Sequence, residues 1–90
     1  MMILKPTSQF RKDYKVMKKR GLDLSRLEEV INTLLEGKPL DDRHRDHTLT
    51  GNYAGYRECH IQPDWLLIYC IMKDELILVV SRTGSHSDLF

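Results

Sequence analysis

The sequence is poor in the features that are typical of secreted proteins, of proteins with a structural metal and of membrane-bound proteins. Only two cysteines occur in 90 residues, Cys59 and Cys70, and neither belongs to a CxxC pair. Isolated thiols of this kind usually behave as small buried apolar side chains, and structural zinc would need four suitably spaced ligands. No apolar run approaches the ~20 residues of a membrane span, and Lys5 and Pro6 interrupt the short apolar start, unlike in a signal peptide. We therefore expect a cytoplasmic protein without membrane contact.

Net charge is also low, at +1, but it is unevenly distributed. Residues 1–26 hold eight Lys or Arg and two Asp, a net charge of +6, whereas residues 27–90 hold six bases and eleven acids, a net charge of −5. Such a basic segment fits a surface that follows phosphates and fits an ordinary solvated helix equally well. Ninety residues leave room for one domain, spanning residues 1–90.

The spacing of apolar residues predicts the element order β-α-α-β-β-β. Helical periods of three and four residues dominate up to Gly37, residues 38–55 are polar and irregular, and strand patterns follow. We predict a strand at 2–4, a helix from Thr7 or Ser8 to Gly21, a helix from Asp23 or Ser25 to Gly37, and strands at 56–61, 65–72 and 75–81. This order indicates an α+β fold in which a two-helix hairpin covers one face of a small twisted, mainly antiparallel sheet. The other face stays open for a functional site.

A two-residue turn at Pro63–Asp64 fixes a provisional register for the first hairpin, with His60 opposite residue 67. In this register the helix-facing set is Arg57, Cys59, Ile61, Leu66, Ile68, Cys70 and Met72. The open face then presents Tyr56, Glu58, His60, Gln62, Trp65, Leu67, Tyr69 and Ile71, with Arg82 close to Trp65. Aromatic side chains stack on bases and arginine binds phosphate, so this face is a candidate RNA surface.

Three histidines surround the open face in the sequence, namely His47, His60 and His86, and Asp64 lies at the turn. RNA supplies its own nucleophile, the 2′-hydroxyl, so its cleavage needs a base, an acid and a positive group rather than a metal. Histidine suits both proton transfers because its unperturbed pKa is about 6.5. Histidines are more often structural, and His44 fits a solvated loop. A metal site is disfavoured because no two histidines have HxxxH or HxH spacing, although His44 and His47 form an HxxH pair in a loop. These residues alone indicate an RNA-binding α+β domain with several histidines.

Three motifs extend this interpretation: DHxLxG at 46–51, YRxxHxxPDW at 56–65 and RxGxHxxLF at 82–90. Their combination at these separations resembles the YafQ branch of the RelE-type toxins, and the resemblance covers essentially the whole chain. It implies a ribosome-dependent endoribonuclease, an mRNA interferase that cuts the codon in the 30S decoding site and needs no cofactor. It also implies a cognate antitoxin, whose complex with the toxin binds operator DNA.

The resemblance also assigns residues. Family catalytic positions match His47, His60, Asp64 and His86, and substrate-binding positions match Trp65, Arg82 and Phe90. We expect His86 to be the general acid, and His60 with Asp64 to form the base side, acting directly or by orienting one another. In these roles His47 assists and Arg82 neutralises developing charge. Ribosomal RNA contacts are expected from the basic segment, at Lys12, Lys15, Lys18 and Lys19.

Two other hypotheses remain open at this point. ParE-type toxins have a similar architecture but inhibit a topoisomerase by binding, without chemistry. An inactive relative that only binds RNA is the second. The set of histidines and an aspartate separates both from an enzyme, because an inhibitor that only binds has no chemical need for it.

Overall fold

The computed structural model describes residues 1–90. Five strands form a single sheet, and three helices accompany it. The elements are β1 (Ile3–Pro6), α1 (Ser8–Lys19), α2 (Leu24–Leu35), β2 (His47–Thr48), β3 (Arg57–Gln62), β4 (Trp65–Met72), β5 (Ile77–Gly84) and α3 (His86–Leu89). The strand order is β1-β5-β4-β3-β2, with β1 parallel to β5 and the other neighbours antiparallel. The predicted α+β fold, a helical pair on a mainly antiparallel sheet, is confirmed.

The two long helices form where local signals start and stop them. Thr7 caps α1 by accepting the backbone N–H of Phe10 at 3.0 Å, and Asp23 caps α2 by accepting that of Ser25 at 3.1 Å. Between them, Gly21 has a φ of +78°, a left-handed conformation that ends a helix at little cost for glycine. The apolar sides of both helices pack on one face of the sheet. No helix in the structure combines the length and the apolar content needed to cross a bilayer.

Two short elements were not predicted. β2 has only two residues and exists through its pairing with β3, and α3 is a single turn closed by a capping box between Ser85 and Asp88. α3 folds back closely on the end of β5, because a Cβ at Gly84 would lie 2.9 Å from Cβ of Asp88. The last strand also begins later than predicted, at Ile77, since Lys73–Glu75 form a 3-10 turn.

The predicted register of the first hairpin is wrong by one residue. His60 lies opposite Leu66, not residue 67, because Ile61 is an extra, unpaired residue between His60 and Gln62. A bulge of this kind adds one residue to one strand, and a shift of one residue turns every side chain of the partner strand to the other face. The part of the face prediction that concerns β4 is therefore reversed.

The corrected faces have different partners. Trp65, Leu67 and Tyr69 belong to the main core under α1 and α2, whereas Leu66 and Ile68 lie on the opposite face and pack with Leu89 of α3. That opposite face is therefore partly covered, and it also bears Glu58 and His60, which pair with Ile68 and Leu66 across the strands. Its polar side chains are the ones that build the candidate site.

Candidate active site

Three imidazole rings stand in a row on the face opposite the long helices. The ring centroids of His47 and His60 are 6.5 Å apart, and those of His60 and His86 are 5.6 Å apart. The rings come from three separate parts of the chain, since His47 lies in β2, His60 in β3 and His86 at the start of α3. The fold thus brings together the three histidines that the sequence singled out.

A buried carboxylate lies between the first two rings. Oε1 of Glu58 is 3.5 Å from Nε2 of His47 and 3.7 Å from Nε2 of His60. Only 8% of the Glu58 side chain is exposed, against 15% for His60 and 49% for His47. A buried carboxylate is costly without a polar partner, and the two imidazole edges are the polar groups nearest to Oε1 of Glu58.

Backbone carbonyls set the proton positions of the same two rings. Nδ1 of His47 lies 2.6 Å from the carbonyl oxygen of Arg45, and Nδ1 of His60 lies 3.3 Å from that of Pro63. A carbonyl oxygen can only accept a hydrogen bond, so Nδ1 holds the hydrogen in each ring. Nε2 is consequently the atom of both rings that exchanges a proton, and both Nε2 atoms approach the same carboxylate oxygen, Oε1 of Glu58.

The third ring has its own carboxylate. Nδ1 of His86 lies 2.6 Å from Oδ1 of Asp64, and the backbone N–H of His86 donates to the same oxygen at 2.9 Å. These hydrogen bonds, the backbone one first, lower the pKa of Asp64 below its usual value. An ionised Asp64 therefore accepts the Nδ1 hydrogen and leaves Nε2 of His86 free for a substrate. Both side chains are well exposed, at 54% for His86 and 69% for Asp64.

These contacts correct one expectation and add one residue. Asp64 binds His86 and not His60, so it does not orient the base side as expected; the turn at Pro63–Asp64 directs it toward α3. The carboxylate beside His60 is that of Glu58. The sequence contains a signal for it, because residues two apart in a strand point to the same face and Glu58 precedes His60 by two. His44, expected in a solvated loop, binds through Nδ1 to the carbonyl oxygen of His60 at 2.6 Å.

The residues expected to bind substrate divide into a buried one and two on the open face. Trp65 is only 2% exposed, and its indole N–H donates to Oγ1 of Thr83 at 2.9 Å, so it is a core residue and not a stacking surface. Phe90 is 63% exposed and meets the ring of Tyr53 edge-on at 5.8 Å. Arg82 lies opposite Ile68 on the open face, and its Nε donates to Asp13 at 2.8 Å.

Two sets of basic groups lie outside the row of histidines. Lys12, Lys15, Lys18 and Lys19 are all exposed on α1. A polar groove of about 800 Å³ borders His60 and is lined on its charged side by Arg26, Arg43 and Arg45 together with Glu29 and Asp41. Polyanions are attracted to such surfaces through their phosphates. No three His, Cys, Asp or Glu side chains converge in a geometry suited to a metal ion.

Comparison with known proteins identifies the family of this chain. Residues 2–90 match the family model described as a bacterial toxin of type II toxin–antitoxin system, YafQ. The chain is 38% identical over 85 residues to the mRNA interferase toxin YafQ of Escherichia coli K12, covering 93% of this chain and 90% of that protein.

Solved structures give the same result. A metal-bound toxin from Helicobacter pylori superposes with a TM-score of 0.94 at 42% identity, covering all of both chains. YafQ in the E. coli DinJ–YafQ complex superposes with a TM-score of 0.91 at 35% identity, covering 100% of this chain and 99% of that one. This chain belongs to the YafQ family of bacterial toxins of type II toxin–antitoxin systems.

Proposed function

We propose that this mRNA interferase toxin cuts messenger RNA by metal-free general acid–base catalysis, with the 2′-hydroxyl of the substrate as nucleophile. The observation that supports this most directly is the row of three imidazoles. Each has Nδ1 bound to an oxygen, so Nε2 is its proton-exchanging atom. In His47 and His60 that atom lies beside Oε1 of Glu58, at 3.5 and 3.7 Å. Cleavage of RNA by its own 2′-hydroxyl requires one group that takes a proton and one that gives a proton, and imidazoles suit both tasks.

The reaction balances without a co-reactant. A base takes the proton of the 2′-hydroxyl, the 2′-oxygen attacks phosphorus, and the bond from phosphorus to the 5′-oxygen breaks. The leaving 5′-oxygen receives a proton from the acid. The products are a 2′,3′-cyclic phosphate and a 5′-hydroxyl, and the two proton transfers each contribute on the order of 10²–10⁴-fold.

The two ends of the row suit different roles. His86 is the acid, because Asp64 stabilises its protonated ring while Nε2 points away from the carboxylate. His60 is the base, held by Glu58 and the Pro63 carbonyl, and His47 assists it from the other side of Glu58. Arg82 neutralises the charge that develops on the phosphate, because its planar fork matches phosphate oxygens.

A translated messenger with one modified residue tests this chemistry. Programmed ribosomes and the purified toxin are expected to give a cut with a 2′,3′-cyclic phosphate end. Prior treatment of the toxin alone with a chelator, followed by its removal so that the ribosomes keep their Mg²⁺, is expected to leave the cut unaffected. A messenger with a single 2′-deoxy residue immediately before the cut is expected to stay whole, because the nucleophile is missing. Cleavage of the deoxy messenger would overturn the mechanism, and loss of cutting with a chelator would overturn its metal-free character. The metal-bound H. pylori relative makes the chelator arm informative.

We further propose that the lysines of α1 contact ribosomal RNA, which makes cleavage ribosome-dependent. Exchange of Lys12, Lys15, Lys18 and Lys19 for glutamine is expected to weaken 30S binding and to flatten its dependence on salt, since each lost phosphate contact reduces the logarithmic slope by about 0.7–0.9. Exchange of Lys38, which pairs with Glu36 at 2.8 Å, is the control. An unchanged salt slope in the quadruple variant would place the contact elsewhere.

A cognate antitoxin is the expected protein partner, as DinJ is for YafQ in the E. coli complex. We expect its complex with this toxin to bind operator DNA and to act in the cytoplasm, where the ribosomes are. The rival hypothesis, a ParE-type inhibitor that acts by binding, has a distinct outcome. Growth arrest with uncut translated messages would favour it over the enzyme.

A further inference from the structure

Helix α1 contacts the catalytic end of the chain at three points, although it lies more than 60 residues away in sequence. Thr7 at its start binds the backbone of β5, Asp13 in its middle binds Arg82, and Arg20 after its end binds Asp88 of α3. Thr7, Asp13 and Arg20 themselves have no part in the chemistry proposed above. Asp13 is a buried charge, which is costly without a partner, whereas Arg20 is 45% exposed.

Asp13 is the most specific of these contacts. It is 7% exposed, and its Oδ2 accepts Nε of Arg82 at 2.8 Å and the backbone N–H of Thr83 at 3.2 Å. Its Oδ1 accepts Nη2 of Arg82 at 3.2 Å and the side-chain amide of Gln9 at 3.1 Å. One edge of the guanidinium is thereby occupied, so the Nη1 side is the part of the fork that Asp13 leaves for another ligand.

The backbone beside Arg82 is shaped by the same helix. Ile68 of β4 lies opposite Arg82 and Tyr69 lies opposite Val80, so Ser81 is an extra residue in β5. Bulges of this kind redirect the following side chain. Thr7 binds both sides of this bulge, since its N–H donates to the carbonyl of Val80 at 3.0 Å and its hydroxyl donates to that of Ser81 at 2.7 Å.

Arg20 acts on the other catalytic element of this segment. Its Nη1 and Nη2 donate to the two carboxylate oxygens of Asp88 at 2.6 and 3.0 Å, and the side-chain hydrogen bond lowers the pKa of Asp88 well below its usual range. Asp88 also accepts the backbone N–H of Ser85 at 2.8 Å and so closes the cap of α3. His86 is the first residue of that helix.

We infer that Asp13 and Arg20 of the α1 region are positioning residues, Asp13 for Arg82 and Arg20 for His86. The inference rests on the proposed function, because Arg82 and His86 matter only if phosphate and proton are handled there. Neither positioning residue touches the substrate. They act by fixing the direction of a guanidinium fork and of a one-turn helix.

A double-variant cycle tests the Asp13 contact. Asp13→Asn keeps the shape but removes the charge, and we expect kcat for ribosome-dependent cleavage to fall by up to about 100-fold, as misplacement of a catalytic group can cause, with little change in KM. The loss is expected to disappear in the Arg82→Ala background, because Asp13 then has nothing to position. Asp74→Asn, in the exposed turn after β4, is the matched control and is expected to cut like wild type.

A second cycle keeps the inference testable if Asp13→Asn fails to fold. Arg20→Gln is expected to lower kcat severalfold in wild type and not at all in His86→Ala, while Lys73→Gln, in the exposed turn after β4, leaves kcat unchanged. The inference would be overturned if, in both cycles, the fold-losses of the two single variants multiplied in the double variant, because the paired residues would then act independently. A wild-type kcat in both Asp13→Asn and Arg20→Gln would overturn it as well. Either result would leave the proposed function standing. A wild-type protein that cuts no message would overturn both.

Discussion

The two ends of the histidine row pair imidazole with carboxylate in opposite surroundings. At one end Glu58 is 8% exposed between His47 and His60, at 3.5 and 3.7 Å. At the other, Asp64 is 69% exposed and meets His86 at 2.6 Å. Charges in water interact weakly and contribute little to stability, whereas a buried charge is strongly coupled to its partners. The buried end should therefore contribute to stability and activity, and the exposed end to activity alone.

The largest effect is expected at the exposed end. His86→Ala removes the group that protonates the leaving 5′-oxygen, so the cleavage rate should fall by about 10²–10⁴-fold. Because the ring is 54% exposed, the free energy of unfolding should change by less than about 0.5 kcal/mol. Single-turnover cleavage and urea unfolding measure the two quantities on one preparation. An equally slow protein that is also clearly destabilised would remove the contrast between the ends.

At the buried end, Glu58→Gln should lower activity and stability together. Loss of the charge releases both rings, and we expect a rate loss of up to about 100-fold from their misplacement. The unfolding free energy should fall by about 1–3 kcal/mol, because the two imidazole edges lose the buried carboxylate that they face at 3.5 and 3.7 Å. The same assays on Asp64→Asn should show a rate loss with a much smaller loss of stability, because the carboxylate is exposed and screened by water. Glu75→Gln, at an exposed position, is the control, and identical stability of Glu58→Gln and Glu75→Gln would contradict the prediction.

Two aromatic residues extend the contrast to substrate binding. Trp65→Phe removes a buried hydrogen bond to Thr83 and should cost about 1–2 kcal/mol of stability. Phe90→Ala, at a site 63% exposed, should leave stability unchanged and raise KM. Urea unfolding and cleavage kinetics on both variants decide this. A stable Trp65→Phe protein with a raised KM would restore Trp65 as a substrate contact.

The smallest effect is expected on folding stability at acid pH. Hydrogen bonds from His86 lower the pKa of Asp64, and the bond from Arg20 does the same to Asp88. A carboxyl whose pKa is lower in the folded state binds more protons when unfolded, so stability is complete above about pH 4 and falls as pH drops through the folded value. Asp88→Asn should make this acid decline shallower, as followed by urea unfolding from about pH 5 to 2. An unchanged decline would mean that Arg20 does not hold the carboxylate in solution.

Local signals made most of the fold predictable. Thr7, Asp23 and Gly21 delimit the helices through contacts within a few residues, and the predicted bounds of β4 match the structure. The sequence also contained the three histidines and Asp64 as a group, through their motifs. Elements that depend on distant partners, β2 and α3, escaped prediction because neither is long enough to show a period of its own.

The open-face prediction failed at a single residue. Ile61 adds one residue to β3, and the pairing of His60 changes from residue 67 to Leu66. A bulge leaves no mark on the apolar pattern of these strands. Cys59, Ile61 and Leu67 are all suited to a core, so the sequence does not show which of them shares a face with which. Trp65 consequently lies in the core, although its motif and its aromatic character had suggested a stacking surface.

The order of the elements, the histidines available for chemistry and the basic character of the first helix depend on residue type and on spacing over a few positions, so they could be predicted from the amino-acid sequence. The partners could not be predicted in this way: Glu58 lies beside His47 and His60, Asp64 binds His86, and Asp13 binds Arg82 across 69 positions of sequence. These pairs depend on strand register and on how α1 and α3 pack against the sheet. Long-range packing, and not local preference, therefore gave each imidazole its carboxylate.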